Sequence, residues 1–144
     1  CRPAIGTQSP SLRSRTKAQI GSSGMTIDER RNRYRAGLRS EWIAALALRV
    51  RGYRILETRW KTSAGEIDLI AVRRKRLAFI EVKHRADVTD EEAHAAVGPA
   101  QRQRIRRAAE LWVARNTRYR DREIGFDLVL VAPRRWPRVI ENGL

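Results

Sequence analysis

Residues 65–83 read GEIDLIAVRRKRLAFIEVK, two short apolar runs separated by a basic turn. Glu66–Val72 and Leu77–Lys83 have the length and the β-branched content of strands. The four-residue turn Arg73–Arg76 is short enough to join them as neighbours in a sheet. The stretch therefore predicts a β-hairpin.

Three ionisable residues, Asp68, Glu81 and Lys83, interrupt the apolar pattern of this hairpin. Because side chains alternate across a strand, Glu81 and Lys83 are expected to project to one side, where Asp68 on the neighbouring strand can meet them. Ionisable groups on central strands are costly to bury unless they pair with one another or hold a metal. That cost makes these residues the candidate site.

Phosphodiester hydrolysis is a chemistry that uses such a set. Asp68 and Glu81 offer hard carboxylate oxygens, which suit Mg²⁺ (or Mn²⁺) as ligands. Lys83 would orient or deprotonate the attacking water and neutralise developing charge. A lysine releases a proton far more readily than an arginine, and only four of the 31 basic residues are lysines, which fits a titratable role here.

A purely structural interpretation of the same residues stays open at this point. Asp68, Glu81 and Lys83 could form an ion pair that only fixes the strand register. Gln101 precedes Ile105 by one helical turn and could reach the site or a phosphate, or simply be a polar residue at a helix start. Glu66 faces the same way as Asp68, but its place beside a turn favours a solvated role.

The sequence around the hairpin predicts two helices and two or three further strands. Arg35–Arg51 has a helical pattern, with Gly52 as its C-terminal cap and one face formed by Leu38, Glu41, Ala45 and Leu48. A strand is expected over Tyr53–Lys61, and Glu91–Asn116 is mostly helical with a break at Gly98 and Pro99. Phe126–Ala132 is typical of an interior strand, and a short edge strand is expected over Arg138–Ile140.

The net charge indicates a polyanionic partner. Thirty-one Lys and Arg against 16 Asp and Glu give a formal charge of +15, which draws a protein towards nucleic acid. No apolar run approaches the roughly 18 residues of a membrane span. The expected phosphate-contacting residues are the basic turn and the arginines around it and on the second helix: Arg73, Arg74, Lys75, Arg76, Arg85, Arg102, Arg104, Arg106 and Arg107.

Residues 1–24 contain no acidic residue, no aromatic residue and no apolar periodicity, so we expect a disordered basic leader ahead of one folded domain over residues 25–144. Cys1 is the only cysteine, which excludes a disulfide framework and favours the cytoplasm. A phosphate-binding GxxxxGK[ST] loop is absent from the sequence, and no small-molecule cofactor is expected.

Around the hairpin and its flanking elements, the chain resembles the YraN-type endonuclease-like proteins of the PD-(D/E)xK, or restriction-endonuclease-like, superfamily. Those proteins are similar to archaeal Holliday-junction resolvases. The resemblance rests on Gly37-x3-Glu41, Gly52-Tyr53, Gly65–Ile70, Phe79–Lys83 with Arg85, and Phe126-Asp127. It implies an α/β fold with an α-β-β-β-α-β core, a mixed central sheet flanked by helices. It also implies Mg²⁺ dependence, catalytic roles for Asp68, Glu81 and Lys83, a resolvase-like metal or catalytic role for Glu41, and a homodimer.

Two positions depart from the family pattern. Gln101 stands where these proteins often have lysine, and Gly125 stands where an arginine commonly precedes the Phe-Asp pair. Both differences remove positive charge that we expect near the site.

Three functions follow from these observations. The first is a metal-dependent nuclease that hydrolyses phosphodiester bonds in DNA, favoured over RNA, with selectivity for branched structures. The alternative is a non-catalytic basic module that grips phosphates, in which the acidic cluster is structural. A basic scaffold of a ribonucleoprotein would bind RNA without a response to metal.

Overall fold

The structure is a computed structural model that describes residues 25–85 and 88–144. The predicted leader, residues 1–24, lies outside the described residues. Helices and strands follow one another in the expected order: α1 Ile27–Val50, β1 Arg54–Thr62, β2 Gly65–Arg73, β3 Arg76–His84, α2 Asp90–Ala95, α3 Pro99–Arg115, β4 Glu123–Val131 and β5 Arg138–Ile140. The α/β class and the short edge strand are confirmed.

The five strands form one mixed sheet in the order β1-β2-β3-β4-β5. Neighbouring strands are antiparallel except β3 and β4, which are parallel and are joined through α2 and α3. A parallel pair needs such a crossover connection, because the chain must return to the end of the sheet where β3 begins before β4 can run in the same direction. The sheet is therefore consistent with the restriction-endonuclease-like core that the resemblance implies.

The sheet is covered on both faces. One apolar cluster lies between the sheet and the pair α2 and α3, and includes Phe79 and Trp112, whose rings meet edge to face at 5.9 Å. The second lies between the sheet and α1, and includes Leu48 and Ile80. Burial on both faces explains why Leu77–Ile80 of β3 and Leu128–Val131 of β4 are continuously apolar.

Helix α1 begins eight residues before the predicted start. Thr26 is its N-cap and forms a capping box with Glu29, in which each side chain accepts a hydrogen bond from the other residue's backbone amide. The first turns of α1 bury no apolar side chain, so apolar periodicity does not indicate them. The Thr-x-x-Glu pattern of the capping box is the sequence signal for this helix start. Leu38 is also exposed, not part of the buried face as predicted.

The C-terminal end of α1 is as predicted. Gly52 has a positive φ of 85°, a conformation that favours glycine. Its amide binds the carbonyl of Arg49, and the amide of Tyr53 binds that of Leu48, which closes the last turn of the helix. The chain leaves this cap directly into β1.

The hairpin is tighter than predicted. Arg73 and Arg76 are already paired across β2 and β3, so the connecting turn is Arg74 and Lys75 alone. Arg74 has a positive φ of 52°. Within the residues that the structure describes, no helix combines the length and apolarity needed to cross a membrane.

A buried carboxyl group on β4 pairs with a half-buried arginine on β3. Asp127 is fully buried, and its Oδ1 accepts hydrogen bonds from Arg76 Nη2 at 2.6 Å and from the Asn142 amide at 2.8 Å. Arg76 reaches it across Gly125, whose missing side chain leaves room: a Cβ there would collide with the guanidinium. Gly125 faces α1 and pairs with Ala78, so it does not lie near Glu81 as the sequence suggested.

Candidate active site

Asp68 lies where the pairing of β2 with β3 ends. Leu69 and Ile80 form the last antiparallel pair of the two strands. Beyond that pair, Oδ2 of Asp68 accepts a hydrogen bond of 2.8 Å from the backbone amide of Val82. The Asp68 carboxylate thus takes the place of a backbone carbonyl as the acceptor for the Val82 amide. This hydrogen bond holds the side chain against the carboxyl-terminal part of β3.

Glu81 and Lys83 point to the same side of β3 and contact each other. Nζ of Lys83 lies 2.9 Å from Oε1 of Glu81. Gln101, in the first turn of α3, donates from Nε2 to the same Oε1 at 2.6 Å and accepts a long 3.5 Å hydrogen bond from Lys83 at its own Oε1. The structure therefore brings Gln101, which the sequence left open, into a closed triangle with Glu81 and Lys83.

Asp68, Glu81 and Gln101 border a pocket of about 270 Å³ between β2, β3 and α3, and Lys83 reaches this site through its contacts with Glu81 and Gln101 without lining the pocket itself. Its lining combines acidic, amide, cationic and apolar groups: Glu66, Asp68, Glu81, Gln101, Arg104 and Ile105. Arg104 stands on the exposed rim, where it can meet an anionic ligand that enters. The arrangement places two carboxylates at the base and a cation at the mouth.

Burial raises the pKa of Asp68 from its ordinary value of 3.8 to about 7. The negative charge of Glu81 is the next cause, Glu41 and Glu66 add smaller contributions, and the hydrogen bond from Val82 opposes the rise. Carboxylates that share a poorly hydrated site resist ionising together. Asp68 is therefore poised to lose its proton near neutral pH.

This pKa has a consequence for stability that can be measured without any substrate. Between pH 3.8 and about 7 the folded protein holds a proton on Asp68 that the unfolded chain has lost, so its free energy of unfolding falls as pH rises through that window. Asp68→Asn removes this penalty and should raise the free energy of unfolding by about 1–3 kcal/mol at pH 8, with little change near pH 4.

The test of Asp68→Asn is thermal or urea unfolding in EDTA at pH 4 and pH 8. Glu110→Gln, an exposed carboxylate on α3, is the matched control and should follow the wild type at both pH values. A mutant at Asp68 that is no more stable than the wild type at pH 8 would contradict the raised pKa.

Glu41 approaches the site from α1 without lining the pocket. Its Oε2 lies 3.3 Å from Nε of Arg59, and burial raises its pKa, with Arg59 opposing the rise and Glu66 and Glu81 adding to it. Arg59 also lies 3.6 Å from Glu66 and has a positive φ of 50°. Arg59 therefore links the carboxylates of Glu41 and Glu66.

Sequence reasoning missed Arg59. In the sequence it is one of three charged residues, Glu57, Arg59 and Lys61, that alternate along an ordinary strand, and nothing in its spacing distinguishes it. Its importance arises from the positive φ and from the approach of Glu41 on another element, which no local pattern encodes.

The donor set fits a hard divalent cation. Asp68 and Glu81 supply carboxylate oxygens on adjacent strands, and the negative charge of Glu81 adds to the burial that raises the pKa of Asp68. Over residues 25–85 and 88–144, no group of three or more His, Cys, Asp or Glu side chains is arranged to hold a metal ion. The protein ligands to consider are therefore Asp68 and Glu81, with water molecules completing the coordination of the cation. Glu41 does not line the pocket.

The basic turn lies at the other end of β3. Arg74 and Lys75 are exposed there and line a cavity of about 860 Å³. The guanidinium of Arg73 lies 4.5 Å from the centre of the Tyr53 ring, and Arg76 forms an ion pair with Asp127. Lys83 lies seven residues after Arg76 along the extended strand, a distance of roughly 23 Å.

The predicted cations beyond the turn divide into two groups. Arg102 donates to the carbonyls of Val97 and His94, and Arg106 donates to Leu144 and stacks on Phe126, so both support the fold. The other three, Arg85, Arg104 and Arg107, are exposed, as is Arg106. Arg104 is the one that reaches the pocket.

Comparison with known proteins identifies the family. The model of the Uncharacterised protein family UPF0102 matches residues 40–131, which contain every candidate catalytic residue. The chain belongs to the UPF0102 family. This is the family of the YraN-type proteins, so the resemblance drawn from the sequence is confirmed.

Close relatives within the UPF0102 family are similar over most of their length. A UPF0102 protein of Chelativorans sp. (strain BNC1) is 50% identical over 113 residues, which are 78% of this chain and 90% of that protein. UPF0102 protein mlr4633 of Mesorhizobium japonicum is 46% identical over 114 residues, 79% of this chain and 90% of that protein. Their names state no activity.

Proposed function

We propose that this UPF0102 protein is a metal-dependent nuclease that hydrolyses phosphodiester bonds in DNA. What supports the proposal most is one arrangement: Asp68 and Glu81 face a single pocket, Lys83 and Gln101 contact Glu81, and the pKa of Asp68 is raised to about 7. Titratable groups with perturbed pKa values cluster at catalytic centres more often than elsewhere. Membership of an endonuclease-like superfamily is compatible with this chemistry.

Each residue has a defined task in this proposal. Asp68 and Glu81 hold Mg²⁺ or Mn²⁺, with Glu41 as an outer carboxylate. When bound, the metal supplies Lewis acidity towards a phosphoryl oxygen. Lys83 donates to the attacking water or takes its proton, and it offsets negative charge that develops on the phosphate. Arg104 at the rim holds a neighbouring phosphate.

The decisive experiment is cleavage of end-labelled DNA. Four-way-junction, flap, single-stranded and blunt duplex substrates are incubated with Mg²⁺ or Mn²⁺, beside EDTA controls. We expect cleavage only with metal, and faster on junction or flap than on duplex. No cleavage of any substrate, with DNA binding intact, would contradict the proposed activity.

Gln101 is proposed as a positioning residue. Because its amide contacts both Glu81 and Lys83, Gln101→Ala should lower the cleavage rate about tenfold and shift its pH profile, while stability changes little. Gln103→Ala, exposed on the same helix, is the control. An unchanged pH profile in Gln101→Ala would show that the contact does not position the two charged groups.

A non-catalytic module that binds nucleic acid is the second candidate. One observation favours it: Glu81 is already satisfied by Lys83 and Gln101, as in a purely structural network. This candidate predicts salt-sensitive DNA binding, no cleavage, and no effect of Mg²⁺ on thermal stability. The nuclease predicts a higher melting temperature with Mg²⁺ in the wild type, and a smaller increase in Asp68→Asn.

Two further features belong to the proposal. A homodimer, which the resemblance implies, would provide one site for each strand of a symmetric DNA junction. Analytical ultracentrifugation with and without junction DNA tests it. We also propose that the protein is located in the cytoplasm, as expected from the sequence.

A further inference from the structure

The parallel strands β3 and β4 end together beside an arginine-lined groove. His84 pairs with Val131 at these ends, and both border a cavity of about 490 Å³ between α1 and the loop after β4. Its lining includes Arg35, Arg39 and Arg134, and none of its described lining residues is acidic. The groove is therefore a strongly positive surface.

A smaller cavity of about 150 Å³ continues this groove around the same loop. It shares Ala132 and Arg135 with the first cavity and adds Arg85 and Trp136. Trp136 is 61% exposed, whereas Trp112 is buried in the core at 2%. Proline follows Trp136 directly, which restricts the backbone that carries the ring. A flat aromatic surface thus stands beside several guanidinium groups.

This combination is typical of proteins that bind unpaired nucleotides. Arginine side chains follow the phosphates, and an exposed aromatic ring stacks on a base, which is accessible only when it has left the duplex. The position also fits, because ligands of open α/β sheets bind at the carboxyl ends of the parallel strands. Lys83 of the candidate site directly precedes His84 of the groove, so the site and the groove share the carboxyl-terminal end of β3 and lie on opposite faces of the sheet.

We propose that this groove binds a single-stranded segment of the DNA substrate, with a base stacked on Trp136 and phosphates held by Arg35, Arg39 and Arg134. The proposal rests on the proposed nuclease function and specifies its substrate: DNA with unpaired nucleotides beside the bond to be cut. A flap or an open junction satisfies this requirement, and a blunt duplex does not. Trp136 lies outside the segment matched by the family model.

The test is DNA binding in EDTA, where cleavage is not required. Labelled oligo(dT), oligo(U) and a blunt duplex are titrated with wild type, Trp136→Ala, Trp136→Phe and Trp42→Ala. Trp42 is the matched control, because it is exposed to a similar extent, 65%, and lines neither cavity. We expect Trp136→Ala to weaken oligo(dT) binding about tenfold or more and duplex binding less than about twofold.

The remaining variants separate stacking from charge. Trp136→Phe should bind oligo(dT) within about threefold of wild type, because it keeps an aromatic face. Arg39→Ala/Arg134→Ala should weaken binding and reduce its salt dependence, whereas Trp136→Ala should leave the salt dependence unchanged.

Three outcomes would overturn the inference: equal oligo(dT) binding by Trp136→Ala and Trp42→Ala, an equal loss on duplex and oligo(dT), or tight binding of oligo(U) without oligo(dT). Failure of the nuclease proposal would look different. In that case no DNA is cleaved with metal, while the loss of oligo(dT) binding in Trp136→Ala still supports the groove.

Discussion

Lys83→Ala should lower the rate of DNA cleavage by roughly 10²–10⁴-fold while DNA binding stays within about threefold of wild type. Lys83 is the cation that contacts Glu81 at the base of the site, at 2.9 Å, and it is the candidate for proton transfer. The measurement is a single-turnover time course on a cleaved substrate, with binding measured separately in EDTA.

Two further variants make this result specific. Lys83→Arg keeps the charge but cannot readily release a proton, so its activity should remain low. Lys61→Ala removes an exposed lysine on β1 and its 3.6 Å contact with Glu66 but leaves Asp68, Glu81 and Gln101 in place, so it should cleave within about threefold of the wild type. Full activity in Lys83→Ala would remove this residue from the chemistry, and full activity in Lys83→Arg would restrict its role to charge.

Arg76→Ala should lower the free energy of unfolding by about 3–5 kcal/mol at pH 8. Asp127 is fully buried, and without Arg76 its charge keeps only the hydrogen bond from the Asn142 amide. Burial already raises the pKa of Asp127 against the opposing effect of Arg76, so the mutant should hold a proton there and lose less stability at pH 5. Urea unfolding at both pH values measures this.

Matched variants test the cause of that loss. Lys75→Ala, exposed in the same hairpin, should change stability by less than about 0.5 kcal/mol. Arg76→Ala/Asp127→Asn should recover part of the loss, because no buried charge remains. An Arg76→Ala protein as stable as the wild type would mean that Asp127 is neutral in the fold.

The same pair explains the departure at Gly125. Arginine at this position, as the family resemblance implies, would occupy the space that Arg76 fills here. We therefore expect Arg76→Ala/Gly125→Arg to be more stable than Arg76→Ala alone. In this fold, Arg76 from the neighbouring strand fills the space beside Gly125.

The hairpin and the main site residues could be predicted because the signals are local. Alternation along β3 places Glu81 and Lys83 on one face, and the apolar runs define β2, β3 and β4. The site's remaining parts depend on distant segments. Gln101 joins through the placement of α3 on the sheet, and Arg59 through the approach of α1, and neither packing is written in a short pattern.

Other differences have equally physical reasons. The start of α1 is stabilised by a capping box and not by burial, so apolar periodicity did not find it. Arg76, Arg102 and Arg106 were expected on a nucleic-acid surface, but each has partners within the fold. A count of positive charge cannot distinguish a cation that serves the fold from one that faces solvent.

Cleavage by wild type and Asp68→Asn at pH 8 with Mn²⁺ tests the central claim most directly, because this substitution should make the protein more stable and inactive at once. The account predicts that the wild type cleaves flap or junction DNA while the folded mutant, which still binds it, does not. Equal cleavage by both proteins, or DNA binding without cleavage by the wild type, would contradict it.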